Sequence, residues 1–265
     1  MITSTSNNRV KYVRALQNQA QERRASGEFV IEGIRLAEEA AGSGWPASLV
    51  FYTEDLNQRG RAVLPRLAAA GAQLEVVAPH VMKAASDTQN PQGLLVVLGK
   101  QDLELPANLD FALILDQLHD PGNLGSILRT AAAAGVGAVL LPPGTADPLA
   151  PKVLRAAMGA HFHLPVHTLA WPDLGKICTK HQLQIFLADA AAALAYTQAD
   201  YCTPTAILIG SEAQGAGPQA LQLPHTGVHI PMQPGNESLN AAAAAAVLIY
   251  ETVRQRGMRQ PPSGR

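Results

Sequence analysis

The sequence predicts an α/β protein in two parts: a small α/β sandwich, then a larger α/β domain. Three observations carry that expectation. Short apolar runs alternate with segments whose apolar residues recur at helical spacing, the pattern of strands interleaved with helices. The pattern lapses over Gly99 to Asn108, where charged residues and a proline leave no period, and restarts at Phe111. A length of 265 residues accommodates two modest domains. The predicted boundaries are 1–98 for the first domain, 99–109 for a linker, 110–257 for the second domain and 258–265 for a disordered tail.

In the first part a helix is expected from Arg9 to Ala25, because Val10, Val13, Leu16 and Ala20 share a face. Phe29 to Ile31 reads as a strand, and Gly33 opens a helix that Gly42 and Gly44 end. Leu49–Tyr52, Leu74–Val77 and Gly93–Leu98 read as strands, with helices at Arg61–Ala70 and Val81–Ser86. In the second part, Phe111 to Leu115 is a continuous apolar run of the kind buried on both faces of a parallel sheet. Further strands are expected at 138–141, 164–167, 183–187, 206–209 and 228–230. Helices are expected at 124–134, 149–158, 171–181 and 239–256.

Hydrophobic residues make up 47% of the chain and charged residues 15%, which excludes a disordered chain. No apolar run reaches the roughly 18 residues of a membrane span. The first nine residues lack the apolar centre of a secretory signal. Cys178 and Cys202 form no metal or disulfide framework. These features predict a cytoplasmic protein. The net charge of −1 argues against a uniformly basic nucleic-acid binder. Local charge differs: residues 1–27 hold Arg9, Lys11, Arg14, Arg23 and Arg24 against Glu22, and residues 252–265 hold four arginines and no acid. Either cluster reads as a phosphate-binding face or as a solvated surface.

Parallel α/β sheets bind ligands beyond the carboxyl ends of their strands, and three unusual segments fall at such ends. Asp116 to Thr130 carries Asp120-Pro121-Gly122-Asn123-Leu124-Gly125, then Arg129. It reads as a helix start where backbone can approach a ligand, or as a turn capped by Asn123. Gly210-Ser211-Glu212-Ala213-Gln214-Gly215-Ala216-Gly217 follows a buried strand; its spacing matches neither a dinucleotide fingerprint nor a P-loop. Ile230-Pro231-Met232 leads through Ser238-Leu239-Asn240 into six alanines, 241–246. A helix so lacking in bulk can lie close against other backbone.

In this order the motifs D-P-x-N-x-G-x-x-x-R-T, G-x-E-x-x-G and I-P-M-x-x-x-x-x-S-L-N resemble those of the SpoU (TrmH-type) RNA ribose 2′-O-methyltransferases of the SPOUT superfamily. The resemblance spans about residues 110–255. Residues 1–97 resemble the substrate-binding domain fused to such enzymes, through Ser6 to Lys11 and Phe29-Val30-Ile31-Glu32-Gly33-Ile34-Arg35-Leu36. Ala242 departs from the polar residue common at its position.

The resemblance implies a trefoil-knotted α/β domain that holds S-adenosylmethionine in a bent form, with main chain at Gly210, Ile230 and Leu239 on the cofactor. It implies methyl transfer to a ribose 2′-hydroxyl, with Arg129 as the activating residue and Asn123, Glu212, Ser238 and Asn240 positioning Arg129, cofactor and ribose. Whether Arg129 acts as base or as electrostatic stabiliser stays open. The resemblance also implies a homodimer through the knot region; the alanine helix suits such close packing, and a bulky charge at Ala244 is expected to disrupt it. The basic cluster of residues 1–27, with Lys11 and Arg14 on one helix face, is expected to capture RNA together with Arg35. No metal or membrane partner is expected. Ribosomal RNA is favoured over transfer RNA as substrate, because the fused N-terminal domain is typical of the ribosomal enzymes. A tRNA 2′-O-methyltransferase and a non-catalytic RNA-binding paralogue are the alternatives. Two metal readings, a His161–His163 pair on one strand face and an Asp116–His119–Asp120 hydrolase centre, rank below these.

Overall fold

The computed structural model describes residues 1–211, 214–233, 235 and 238–259. It forms two compact units, Met1–Gln101 with Asp147–His163, and Asp102–Ala146 with Leu164–Arg265.

In the first unit, α1 (Asn8–Asn18) and α2 (Ala20–Ser26) replace the single predicted helix. Gln19 adopts an extended backbone between them (φ −125°, ψ 110°). Asn7 caps α1 by accepting from the Arg9 N–H. Then come β1 (Glu28–Glu32), α3 (Ile34–Ser43), β2 (Ala47–Tyr52), α4 (Gln58–Ala69), β3 (Gln73–Val76), α5 (Pro79–Ala85) and β4 (Leu94–Gly99). The sheet order is β1-β4-β2-β3, with β4 antiparallel to both neighbours and β2 parallel to β3. Side chains alternate across the sheet. Val30, Phe51 and Val97 meet Val10, Val13 and Leu16 of α1 and Met82 of α5. Helices α3 and α4 pack on each other; α3 rests on β1 and β4, and α4 on β2 and β3.

The second unit begins with β5 (Phe111–Leu115), α6 (Pro121–Ala133) and β6 (Ala138–Leu141). Next, α7 (Pro151–Ala157) lies in the segment Asp147–His163, which groups with the first unit and packs on β1. Ion pairs of Arg23 with Asp147 (2.7 Å) and Arg155 with Asp87 (2.7 Å) tie this segment in place. So does the Trp45 ring, set edge-on between Phe29 and Phe162. The chain then returns through β7 (Val166–Thr168), α8 (Trp171–Lys180), β8 (Gln184–Ala188), β9 (Leu194–Ala195), β10 (Thr205–Ile209), α9 (Pro218–Leu221), β11 (His225–His229) and α10 (Ala241–Arg259). Residues 260–265 of the predicted tail lie outside the described residues. β9 and α9 are too short to leave a periodic signal in sequence.

The sheet order is β7-β6-β5-β10-β8-β11-β9, and all of its pairings are parallel. β10 comes late in the chain yet sits centrally, with Thr205 to Ile209 beside Phe111 to Leu115. Every residue of β5, β6 and β10 is buried, as the apolar runs predict. The alanine-rich start of α10 lies against α6 and β10. Ala241, Ala245, Leu248 and Ile249 form its buried face.

The predicted His161–His163 strand pair does not exist. Residues 160–162 form a 3₁₀ turn. His161 is buried and donates to the Pro148 carbonyl (2.8 Å), and burial pushes its pKa down to about 4. His163 is exposed, 3.7 Å from Glu39. Among the described residues, no three His, Cys, Asp or Glu side chains gather to hold a metal.

Candidate functional site

The carboxyl ends of the adjacent strands β10, β8 and β11 open onto a cleft of about 540 Å³. That volume lies within the range of about 300–1,000 Å³ usual for small-molecule sites. Gly210, Ile230 and Leu239 all line it, as does Ser238. The ends of three strands are therefore brought to one cavity, lined by aliphatic side chains together with main-chain polar groups. Ile230 and Leu239 offer only main-chain polar groups, so a ligand here reads backbone N–H and C=O.

Gly210 is compulsory for a steric reason. A Cβ there would stand 2.3 Å from both the Ala216 nitrogen and the Gly215 carbonyl carbon. Ser211 and Gly215 exchange main-chain hydrogen bonds of 2.8 and 3.0 Å, and Gly215 has φ +68°. Glu212 lies outside the described residues. The same loop is fixed from the neighbouring strand end. Asp116, just past β5, is fully buried, and its Oδ2 accepts from the Gly217 N–H at 2.7 Å. Burial pushes the Asp116 carboxyl above the usual aspartate range, while the Gly217 N–H pulls against that shift. Its Oδ1 is buried without a partner among the described residues.

Asn123 does not cap α6. Asp120 does, accepting from the Asn123 N–H at 2.8 Å, with Pro121 in the first turn. The Asn123 side chain instead reaches the third motif: its Oδ1 accepts from Asn240 Nδ2 at 2.9 Å. Asn240 in turn caps α10, its Oδ1 accepting from the N–H groups of Ala242 (2.9 Å) and Ala243 (3.2 Å). Ala242 thus contributes main chain only, and its departure from the family pattern leaves the cap intact.

Arg129 lies farther along α6, exposed, with no hydrogen-bond or ion-pair partner among the described residues. Among the described residues it does not line the cleft and makes no hydrogen bond to Asn123 or Asn240. Ala244, expected near a partner subunit, lines the cleft. The helical phase of α10 turns it inward, and Ala243 and Tyr250 face solvent.

In the first unit, Lys11 and Arg14 are exposed three residues apart on α1, and Arg35 is exposed on α3. The basic cluster is smaller than its sequence count. Arg9 is bonded to Glu75 and Gln73, and Arg23 is buried against Asp147 and the Leu16 carbonyl. Arg155 is likewise engaged with Asp87.

Sequence reasoning missed the roles of Asp116 and Asp189. Both are acids directly following buried apolar strands, a signal readable as an ionisable group delivered to a strand's carboxyl end. Asp189 lines the cleft.

Comparison with known proteins matches this architecture. Residues 110–250 match the SpoU rRNA Methylase family, and residues 7–96 match the MRM3-like substrate binding domain. The chain is 34% identical to an uncharacterized tRNA/rRNA methyltransferase of Synechocystis sp., over 98% of this chain and 96% of that protein. It is 30% identical to the 23S rRNA (guanosine(2553)-2′-O)-methyltransferase RlmP of Bacillus subtilis, over 94% and 97%. The solved structure of the SpoU methyltransferase AviRb from Streptomyces viridochromogenes, in complex with the cofactor AdoMet, superposes with a TM-score of 0.88 at 28% identity. It covers 98% of this chain and 100% of that one. A SpoU sheet with its cleft at the ends of β10, β8 and β11, preceded by a substrate-binding unit, places the chain in the SpoU rRNA Methylase family.

Proposed function

We propose that this protein is an S-adenosylmethionine-dependent methyltransferase acting on a ribose 2′-hydroxyl of ribosomal RNA. The observation that carries the reading is the convergence of Gly210, Ile230 and Leu239 on one cleft, beside an Asn123–Asn240 bond that joins the first and third motifs. The cleft fits the cofactor: its size suits a nucleoside, its walls set aliphatic side chains beside main-chain polar groups, and Gly210 lets the 215–216 backbone close in where any side chain would collide. When bound, the cofactor would supply an electrophilic sulfonium methyl; its transfer to the ribose 2′-oxygen would break the S–CH3 bond, leave the neutral thioether S-adenosylhomocysteine and release the hydroxyl proton to solvent.

The chain's own residues do the rest. Main chain at Gly210, Ile230 and Leu239 holds the adenosyl group. Asn240 fixes Asn123, and Asn123, Glu212 and Ser238 orient the ribose. Arg129, a cation unengaged by other described residues, holds the RNA phosphate and stabilises charge developing on the 2′-oxygen. Lys11, Arg14 and Arg35 capture RNA through its phosphates. The segments around 210–217 and 228–240 form the trefoil knot. A second copy of the chain packs on the outer face of α10, where Ala243 and Tyr250 are exposed along one stripe with half-buried Val247 and Val253. The two free cysteines suit a cytoplasmic protein.

The test is twofold. Calorimetry should record S-adenosylmethionine binding that Gly210→Ala removes. Labelled methyl from the cofactor should appear on a 2′-oxygen of ribosomal RNA, located by nuclease mapping. Cofactor binding with transfer only to tRNA would move the substrate to the tRNA class. No cofactor binding would leave a non-catalytic RNA-binding protein.

A further inference from the structure

Asp189 directly follows β8, the strand lying between β10 and β11. Its main-chain N–H donates to the Val228 carbonyl at 3.0 Å, and its Oδ1 accepts from the Ala191 N–H at 2.9 Å. The carboxylate is exposed at the rim of the cleft it lines, and the Ala191 N–H orients it there. It is the only acid among the described residues that line this cavity; Ser211, Gln214 and Ser238 are the neutral polar ones. Apolar groups such as Leu187, Val228 and Ile230 make up most of the rest. An oriented carboxylate in such a setting reads hydrogen-bond donors strongly, because charge-assisted bonds are the stronger kind.

Position names the donors. Gly210 follows β10 and Ile230 follows β11, so a ligand reaching from one to the other crosses the end of β8. In an adenosyl compound the ribose separates the base from the sulfur-bearing arm. Its 2′,3′-diol presents two adjacent O–H donors, and a carboxylate has the two oxygens to take them. We propose that Asp189 is a cofactor-recognition residue that accepts the ribose hydroxyls of the adenosyl group. This rests on the reading that the cleft holds S-adenosylmethionine. The competing assignment, an ion pair with the ammonium of the methionine arm, makes a different prediction for ligands without that arm.

Titration calorimetry of the full chain separates the two. The ligands are S-adenosylhomocysteine, 5′-methylthioadenosine, which lacks the amino-acid arm, and 2′-deoxy-5′-methylthioadenosine. Asp189→Ala and Asp189→Asn are compared with the native chain, and thermal melts check folding. If Asp189 holds the ribose, Asp189→Ala weakens S-adenosylhomocysteine and methylthioadenosine alike, by about tenfold or more. The native chain then prefers methylthioadenosine to its 2′-deoxy form, and Asp189→Ala has lost most of that preference. Weakening of S-adenosylhomocysteine alone assigns the carboxylate to the ammonium and overturns the proposal. Unchanged affinities, or a native chain indifferent to the 2′-hydroxyl, overturn it as well while leaving the cofactor reading standing. If the native chain binds none of the three, the cofactor reading fails and this inference with it.

Discussion

The side-chain amide of Asn240 donates to Asn123 Oδ1 over 2.9 Å, linking residues 117 positions apart. Asn240 also caps α10, so one side chain fixes the start of that helix and the orientation of the first motif. Arg129 rides on α6, the helix that Asn123 begins to anchor in its first turn.

Arg129 has no structural partner among the described residues, so its removal should spare the fold. Arg129→Ala is expected to melt within about 0.5 kcal/mol of the native protein and to bind S-adenosylmethionine normally. Methyl transfer should fall at least about a hundredfold, the scale seen when one transition-state stabiliser is lost. Near-native turnover on a verified RNA would remove Arg129 from the reaction.

Asp116 and Gly217 give a second, separable prediction. Asp116→Leu leaves the Gly217 N–H buried without an acceptor and should cost about 1–3 kcal/mol, with weakened cofactor affinity. Asp116→Asn keeps an acceptor and should bind the cofactor nearly as the native chain does. The pH dependence follows from burial, which raises the carboxyl's pKa in the folded chain. The stability this group contributes is full below its unfolded value, about pH 4. It is lost as pH rises through the higher folded value. The melting temperature of Asp116→Asn should therefore gain on the native protein as pH climbs through that window. A gap that does not change with pH would contradict this account.

The outer stripe of α10 tests the assembly. Tyr250 is 50% exposed at the centre of that stripe, so a charge placed there probes whether a second copy covers it. Light scattering should find a dimer for the native chain at micromolar concentration and a monomer for Tyr250→Glu. Ala244→Arg should act differently, by filling the cofactor cleft. A native monomer would count against the second copy.

Lys11 and Arg14 carry the RNA prediction. The double substitution Lys11→Ala, Arg14→Ala should weaken RNA binding and make the plot of log affinity against log salt shallower by up to about two, one for each phosphate contact. Affinity for S-adenosylmethionine should not change. An unaltered salt slope would assign these charges to solvent and move RNA capture elsewhere on the chain.

Much of this molecule was legible in the linear chain because the signals are local. Apolar runs such as Phe111–Leu115 and Thr205–Ile209 announce strands buried on both faces, and the helical spacing of Val10, Val13 and Leu16 announces α1. The glycines at 210, 215 and 217 mark the loop after β10 in advance, and Asp120-Pro121 marks the start of α6. The break at Gln19 left no such mark, since nothing in its neighbours' periodicity changes.

Only the tertiary structure decided which of these loops meet. β10 inserts between β5 and β8, which sets Asp116 against Gly217 and brings Gly210, Asp189 and Ile230 to one cleft. Strand order is a long-range property with no period to read. Packing likewise set the rotation of α10: its six alanines are alike in sequence, and contact with α6 and β10 turned Ala244 inward and left Tyr250 outside. Helix α7 joined the first unit for the same reason. Its apolar spacing states only that it must bury one face, and β1, with the ion pairs of Arg23 and Arg155, supplied the place.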